Sequence, residues 1–189
     1  VTGVQTCALP IYKFAHFVFP NIGVQFHKVP ENILNIFHKE IDKINKDRSQ
    51  AVSHTKFLAG HLKHEFNIQH IIPDVSDYFN RIGYNYFKDY GLNDNFDMLT
   101  ENRQIQLSTL WVNFQKKHEF NPMHTHSGLM SFALWLKIPY DIYQEESVFS
   151  EVKHKETSKF TFAYTDVMGF IKKVIIPVDK SFEGVLVIF

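Results

Sequence analysis

The alternation of apolar and polar residues predicts two helices in the first half of the chain. From Pro30 to Ile44, apolar side chains recur every three or four residues, which is the spacing of one helix face, and proline suits a first helical turn. A second helix is predicted from Asp74, as its N-cap, to Tyr90, with Gly91 ending it. We expect its apolar stripe to be core: Val75, Tyr78, Phe79, Ile82, Tyr86 and Tyr90.

The pattern in the second half of the chain predicts mainly strands. Residues 108–115 and 131–138 alternate in the manner of half-buried strands. A hairpin is predicted around Val167-Met168-Gly169, and residues 182–189 form a further strand. Residues 13–28 predict a short strand-like entry, whereas 93–102 and 141–158 are polar and predict loops. Helices followed by successive strands predict an α+β protein, with a helical layer packed on a jelly-roll sheet pair.

Composition narrows the class of protein. The chain has 20 basic and 20 acidic residues, and no run of like charge suggests a nucleic-acid or membrane surface. No apolar stretch reaches the roughly 18 residues that a membrane helix needs. We therefore expect a soluble cytoplasmic protein, with residues 13–189 as one domain: 13–106 mainly helical, and 107–189 the β core.

The beginning of the chain is not expected to belong to the fold. Its first eleven residues, VTGVQTCALPI, match the conceptual translation of a short-read sequencing adapter, and the junction falls at Tyr12. We expect residues 1–12 to be an artefact on a metagenomic gene fragment. Cys7 is the single cysteine, so its removal leaves no thiol and excludes disulfides.

The candidate chemistry lies between the two alternating segments 108–115 and 131–138. His124-Thr125-His126 is bracketed by turn residues, and in an extended chain side chains two apart share a face. Both imidazoles could therefore bind one metal ion. With 11 histidines in the chain, two polar strand residues without a metal remain an equally simple interpretation. His61 and His64 are a weaker pair at helical spacing.

The segment WVNFQKKHEFNPMHTHSGLMSFALWLKIP resembles the metal-binding core of the 2-oxoglutarate/Fe(II) oxygenases found in marine bacteria and their tailed phages. That family pairs a tryptophan-bearing strand with an N-P-x-H-x-H-S/P-G turn and a strand ending in proline. The matching positions are Trp111, Asn121, Pro122, His124, His126, Ser127, Gly128 and Pro139. The resemblance extends more weakly over most of the chain, from about Phe26.

The resemblance implies a double-stranded β-helix (jelly-roll or cupin-like) core, incomplete at the C-terminus of this chain. It implies Fe(II) held by His124 and His126, and a third ligand, a histidine, beyond Phe189 together with an arginine for 2-oxoglutarate. It also implies a hydroxylase of a bacterial or phage-infected cell acting on an unknown small-molecule or peptide substrate. His126 departs from the usual carboxylate of the motif, which leaves the metal centre one unit more positive.

Three other polar residues are candidates for cosubstrate contact. Asn113 and Gln115 share a face of the strand before the histidines, and Lys137 ends one face of the next strand. A plain structural or surface role is the simpler explanation for each of them. Trp111 and Trp135 share those faces and are expected to form a hydrophobic wall.

Three alternative functions remain open. A cupin-type metal enzyme also uses H-x-H, but the glutamate expected a few residues later is absent from Leu129 to Phe132. A zinc hydrolase needs a third ligand and an open water position, which H-x-H alone does not exclude. A non-catalytic jelly-roll protein, such as a virion component, keeps the fold without using the histidines.

Overall fold

A computed structural model of the chain describes residues 22–55, 60–92, 104–148, 151, 153 and 156–189. Several features predicted from the sequence lie outside these ranges: the adapter-like residues 1–12, most of the entry strand, and the loop at 93–102.

The described residues form three helices and seven strands, so the mixed helix-and-sheet class is confirmed. The helices are α1 (Glu31–Lys46), α2 (Ile72–Asp89) and α3 (Ile142–Ser147). The strands are β1 (Gln25–Lys28), β2 (Glu65–Asn67), β3 (Trp111–Asn113), β4 (Phe132–Leu134), β5 (Lys159–Thr165), β6 (Ile171–Pro177) and β7 (Val185–Ile188). Short 3-10 turns cover Arg48–Gln50, Gln69–Ile71 and Lys180–Phe182.

The strands pair in three small antiparallel sheets. In the central sheet, β7 lies between β1 and β4, and the other two sheets are the pairs β2–β3 and β5–β6. Strands from the helical first part thus pair with strands of the second part. A double-stranded β-helix built from these sheets stays a prediction.

Two details of the helices differ from the prediction. Helix α2 begins at Ile72 with Pro73 in its first turn, so Asp74 is not the N-cap. Its carboxylate lies instead in the first turn, where the helix dipole favours negative charge. Helix α3 lies in the predicted polar loop, and Asp141 starts it by accepting a hydrogen bond from the backbone of Tyr143.

Helices α1 and α2 cover one face of the central sheet. From β7, Leu186 and Ile188 point into a large apolar cluster that includes Phe37 of α1 and Phe79 of α2. The predicted stripe of α2 is confirmed as core for Val75, Tyr78, Phe79, Ile82 and Tyr86. Burial raises the pKa of Tyr86 to about 12, and its hydroxyl donates to the carbonyl oxygen of Gly23.

The β5–β6 hairpin covers the other face of the central sheet. Trp135 packs edge-on against Phe160, and Phe162 packs against Phe189 at the end of β7. The buried cluster of this layer is small and consists of Ile138, Ile176 and Val178. Val187 of β7, which alternates with Leu186 and Ile188, is also fully buried on this side of the sheet. The molecule is therefore layered: helices, central sheet, hairpin. Gly169, at φ +83°, gives the hairpin its predicted turn.

Candidate metal centre

The histidine turn connects β3 to β4, in the predicted order of strand, turn and strand. Both strands are shorter than predicted: β3 covers three residues and β4 covers three. Beside them, Phe114 donates one backbone hydrogen bond to His64, and Ser131 exchanges two with Phe189. Gly128, at φ +98°, adopts a backbone conformation that L side chains rarely reach, which explains glycine after the histidines.

His124 and His126 lie side by side on this turn. Their ring centroids are 4.7 Å apart, and the ring planes are inclined by 38°. Two imidazoles that bind one metal at right angles, with metal–nitrogen distances of about 2.1 Å, have centroids about 4.5 Å apart. Both side chains are exposed. The distance between the two ring centroids is therefore compatible with one shared metal ion.

A hydrogen bond fixes the tautomer of His124. Its Nδ1 lies 2.7 Å from the carbonyl oxygen of Pro122. Because a carbonyl oxygen can only accept a hydrogen bond, Nδ1 carries the ring proton and donates the hydrogen bond to Pro122. The lone pair then lies on Nε2, the nitrogen available to a metal.

His126 is held from the other side by the end of β7. Its ring meets that of Phe189 edge-on, with centroids 5.2 Å apart. Removal of this part of the ring from water lowers the pKa of His126, and the adjacent His124 lowers it further. Both effects favour the neutral imidazole, the form in which histidine binds metals.

Phe189 joins this pair to the layer between the central sheet and the hairpin. Its ring also contacts Phe162 at 4.9 Å and Phe160 at 6.2 Å between centroids. Phe160 in turn meets Trp135. Trp135 thus forms part of a hydrophobic wall, as expected, and the histidine pair lies at one end of that wall.

The other predicted site residues do not contact the histidine pair within the described part of the chain. Asn113 pairs with Glu65 across β2 and β3. Gln115 donates its side-chain amide to the carbonyl oxygen of Glu119, which closes the turn between them. Both residues are exposed.

Lys137 is exposed and lies toward the far end of the central sheet. Trp135, two residues before it, bonds to the backbone of Val185, about 13 Å along β7 from Phe189. Because His126 packs on Phe189, the fold separates this lysine from the histidines.

Glu65 is a buried carboxyl that no sequence pattern predicted. It is 1% exposed, and neither carboxylate oxygen has a hydrogen-bond partner within the described ranges. Burial raises the pKa of Glu65, and nearby Glu119 raises it further. A glutamate flanked by His64 and Phe66 carries no local signal that marks burial.

A third ligand is not found among the residues that the structure describes, since no group of three His, Cys, Asp or Glu side chains there could hold a metal ion. His61 and His64 are separated by their packing: the ring of His61 stacks on Phe120, and that of His64 on Phe66. The described part of the chain thus places two candidate ligands, His124 and His126, on one turn.

In comparisons with known proteins, no family model, curated protein or solved structure matches the chain. Over the described ranges, every helix is too short or too polar to cross a membrane.

Proposed function

We propose that this chain belongs to a 2-oxoglutarate- and Fe(II)-dependent dioxygenase that hydroxylates a small-molecule or peptide substrate. His124 and His126 are two of its three protein ligands to iron. The observation that carries the proposal is the pair itself: two adjacent imidazoles with the spacing of shared ligands, one of which has its Nε2 lone pair free.

The layered fold supports the proposal. A double-stranded β-helix needs two facing sheets, and the central sheet and the β5–β6 hairpin face each other across Trp135, Phe160 and Phe162. In the proposed enzyme these are parts of its two sheets, and α1 and α2 pack on the outside of one of them.

The end of β7 supports the position of the third ligand. Ser131 and Phe189 exchange two backbone hydrogen bonds, at 2.7 Å and 3.0 Å, directly beside the histidine turn. In a longer chain, residues that follow Phe189 would continue next to His126. We infer that the third ligand, a histidine, and the arginine that binds 2-oxoglutarate lie in that following segment.

In the proposed enzyme, bound iron and 2-oxoglutarate supply O₂-dependent oxidation of a C–H bond, with succinate and CO₂ as co-products. The protein positions this chemistry. Pro122 holds the tautomer of His124, and Phe189 keeps His126 partly away from water. Through Phe189, the aromatic wall covers one side of His126.

The proposal is tested on the product of the gene cloned past the codon for Phe189. With Fe(II) and 2-oxoglutarate, we expect that protein to form succinate, and His124→Ala to abolish this activity. His38→Ala, on the exposed face of α1, is the matched control and should leave the activity unchanged.

Equal succinate formation by wild type and His124→Ala would refute the proposal, as would a longer protein that forms none. A chain in which the two histidines affect only stability would instead fit a non-catalytic jelly-roll protein.

A further inference from the structure

The segment from Gly60 to His64 runs alongside the residues that lead into the histidine turn. The backbone nitrogen of His61 donates to the carbonyl oxygen of Phe120 at 2.9 Å, and that of Phe114 donates to His64 at 2.9 Å. Leu62, between them, is buried and anchors the segment. The pairing of β2 with β3 therefore continues, in irregular form, up to the histidine turn.

Side chains add to these backbone bonds at the end nearest the histidines. The ring of His61 stacks on that of Phe120, with centroids 5.0 Å apart and planes inclined by 20°. At the other side of this contact, the side-chain amide of Asn121 lies against Gly60, in the space that a Cβ would occupy. A Cβ at Gly60 would collide with Oδ1 of Asn121 and lie 3.3 Å from its Cγ. Any other residue at position 60 must therefore displace the side-chain amide of Asn121.

Phe120 and Asn121 immediately precede Pro122, whose carbonyl oxygen accepts a hydrogen bond from Nδ1 of His124. A shift of the backbone at Phe120 or Asn121 reaches that carbonyl group through the peptide bond to Pro122, and a Cβ at position 60 forces the side-chain amide of Asn121 to move. We propose that Gly60 and His61 are positioning residues for the metal pair: they hold Phe120 and Asn121 so that Pro122 fixes the orientation and tautomer of His124. The metal-binding part of this inference rests on the proposed function.

The contacts of His61 distinguish positioning from ligation. Its ring lies flat on Phe120 and acts as an aromatic surface, a role that phenylalanine can also fill. His61→Phe should therefore preserve the arrangement, whereas His61→Ala removes the stacking but keeps the backbone bond. If His61 were itself a ligand, both variants would lose the metal.

The first test uses the metal-free protein. Nitrogen-15 NMR of the histidine rings at about pH 8, where an ordinary imidazole is neutral, reports which nitrogen of His124 carries the proton. We expect the Nδ1–H tautomer in wild type and His61→Phe, and a mixture of tautomers in Gly60→Ala and His61→Ala.

Gly23→Ala is the matched control. Its Cβ would meet the hydroxyl of Tyr90 at 2.6 Å, another close approach at a glycine, but one beside α2. It should leave the tautomer of His124 unchanged. An unchanged tautomer in both Gly60→Ala and His61→Ala would overturn the inference. Circular dichroism of each variant shows whether it is folded.

The second test is titration with Co(II) alone. We expect Gly60→Ala and His61→Ala to weaken the affinity about 10-fold, the size of effect that supporting residues of metal ligands have. His61→Phe should bind as wild type does. If His124→Ala binds Co(II) as tightly as wild type, the proposed function fails, while the NMR test still decides the positioning roles. If only His124→Ala loses affinity, the positioning inference fails alone.

Discussion

The two faces of the central sheet differ in how much they bury. On one face, Leu186 and Ile188 of β7 are 0% and 3% exposed and join the large cluster formed with α1 and α2. On the other face, the β5–β6 hairpin contributes a thin aromatic layer, and its residues from Val167 to Ile175 are largely exposed. The exposed residues include Met168 and Phe170 at the tip.

This difference separates the part of the molecule that stabilises it from the part that carries the candidate chemistry. Apolar burial is the dominant favourable contribution to folding, so the helix-covered face holds most of the stability. The histidine pair lies at the edge of the thin layer and contacts Phe189. Substitutions of the two histidines should therefore be readable as changes in binding, in a chain that remains folded.

The largest expected effect comes from the helix-covered face. Leu186→Ala leaves a cavity between the sheet and the helices, and we expect the free energy of unfolding to fall by about 3 kcal/mol. Ile171→Ala removes a side chain that is 77% exposed and should change it by less than about 0.5 kcal/mol. Urea unfolding of both variants measures this, and similar losses would contradict the comparison.

The next effect comes from Glu65, whose buried carboxylate has no hydrogen-bond partner among the described residues. Because burial, and then Glu119, raise the pKa of Glu65 above its usual value of 4.5, the folded state binds this proton more tightly than the unfolded chain does. Lowering the pH from above the folded-state pKa towards 4.5 therefore stabilises the protein through Glu65. The gain is about 1.4 kcal/mol for each pH unit between the pKa of Glu65 in the folded state and that in the unfolded chain. Glu65→Gln should stabilise the protein at neutral pH, and this advantage should shrink in acid.

Glu40 is the matched control for that experiment, because it is a buried carboxyl with partners. Burial opposes its ionisation, yet hydrogen bonds from Lys43 and His70 hold the pKa of Glu40 below its usual value. Its contribution is present at neutral pH and is lost as the pH falls through the folded pKa. Glu40→Gln should therefore destabilise at neutral pH. Urea unfolding at several pH values measures both effects. If Glu65→Gln and Glu40→Gln change the free energy of unfolding in the same direction at neutral pH, this assignment is contradicted.

Local sequence signals predicted the elements that local chemistry determines. The hairpin was predicted from its turn, where Asp166 accepts from Met168 and Phe170 and Gly169 takes the positive φ. The core stripe of α2 followed from its spacing. The start of helix α2 was predicted too late, because the helix follows a 3-10 turn and has Pro73 in its first turn instead of beginning after an Asp74 cap. Helix α3 was missed because six mostly polar residues carry little periodicity.

The candidate site depended on long-range packing that the sequence does not encode locally. The spacing of His124 and His126 predicted their proximity, but not the contact of His126 with Phe189, which requires β4 to pair with β7. The same register places Lys137 towards the opposite end of the sheet. The burial of Glu65 likewise follows from how segments distant in sequence pack together.

The most direct test of the central claim is calorimetric titration of the chain with Fe(II) under anaerobic conditions, comparing wild type with His124→Ala and His126→Ala. We predict that wild type and His38→Ala each bind one equivalent of Fe(II), and that His124→Ala and His126→Ala do not. The free energy of unfolding in urea should be similar for all four proteins. Identical binding by wild type and the two variants would contradict the claim that this turn is a metal centre.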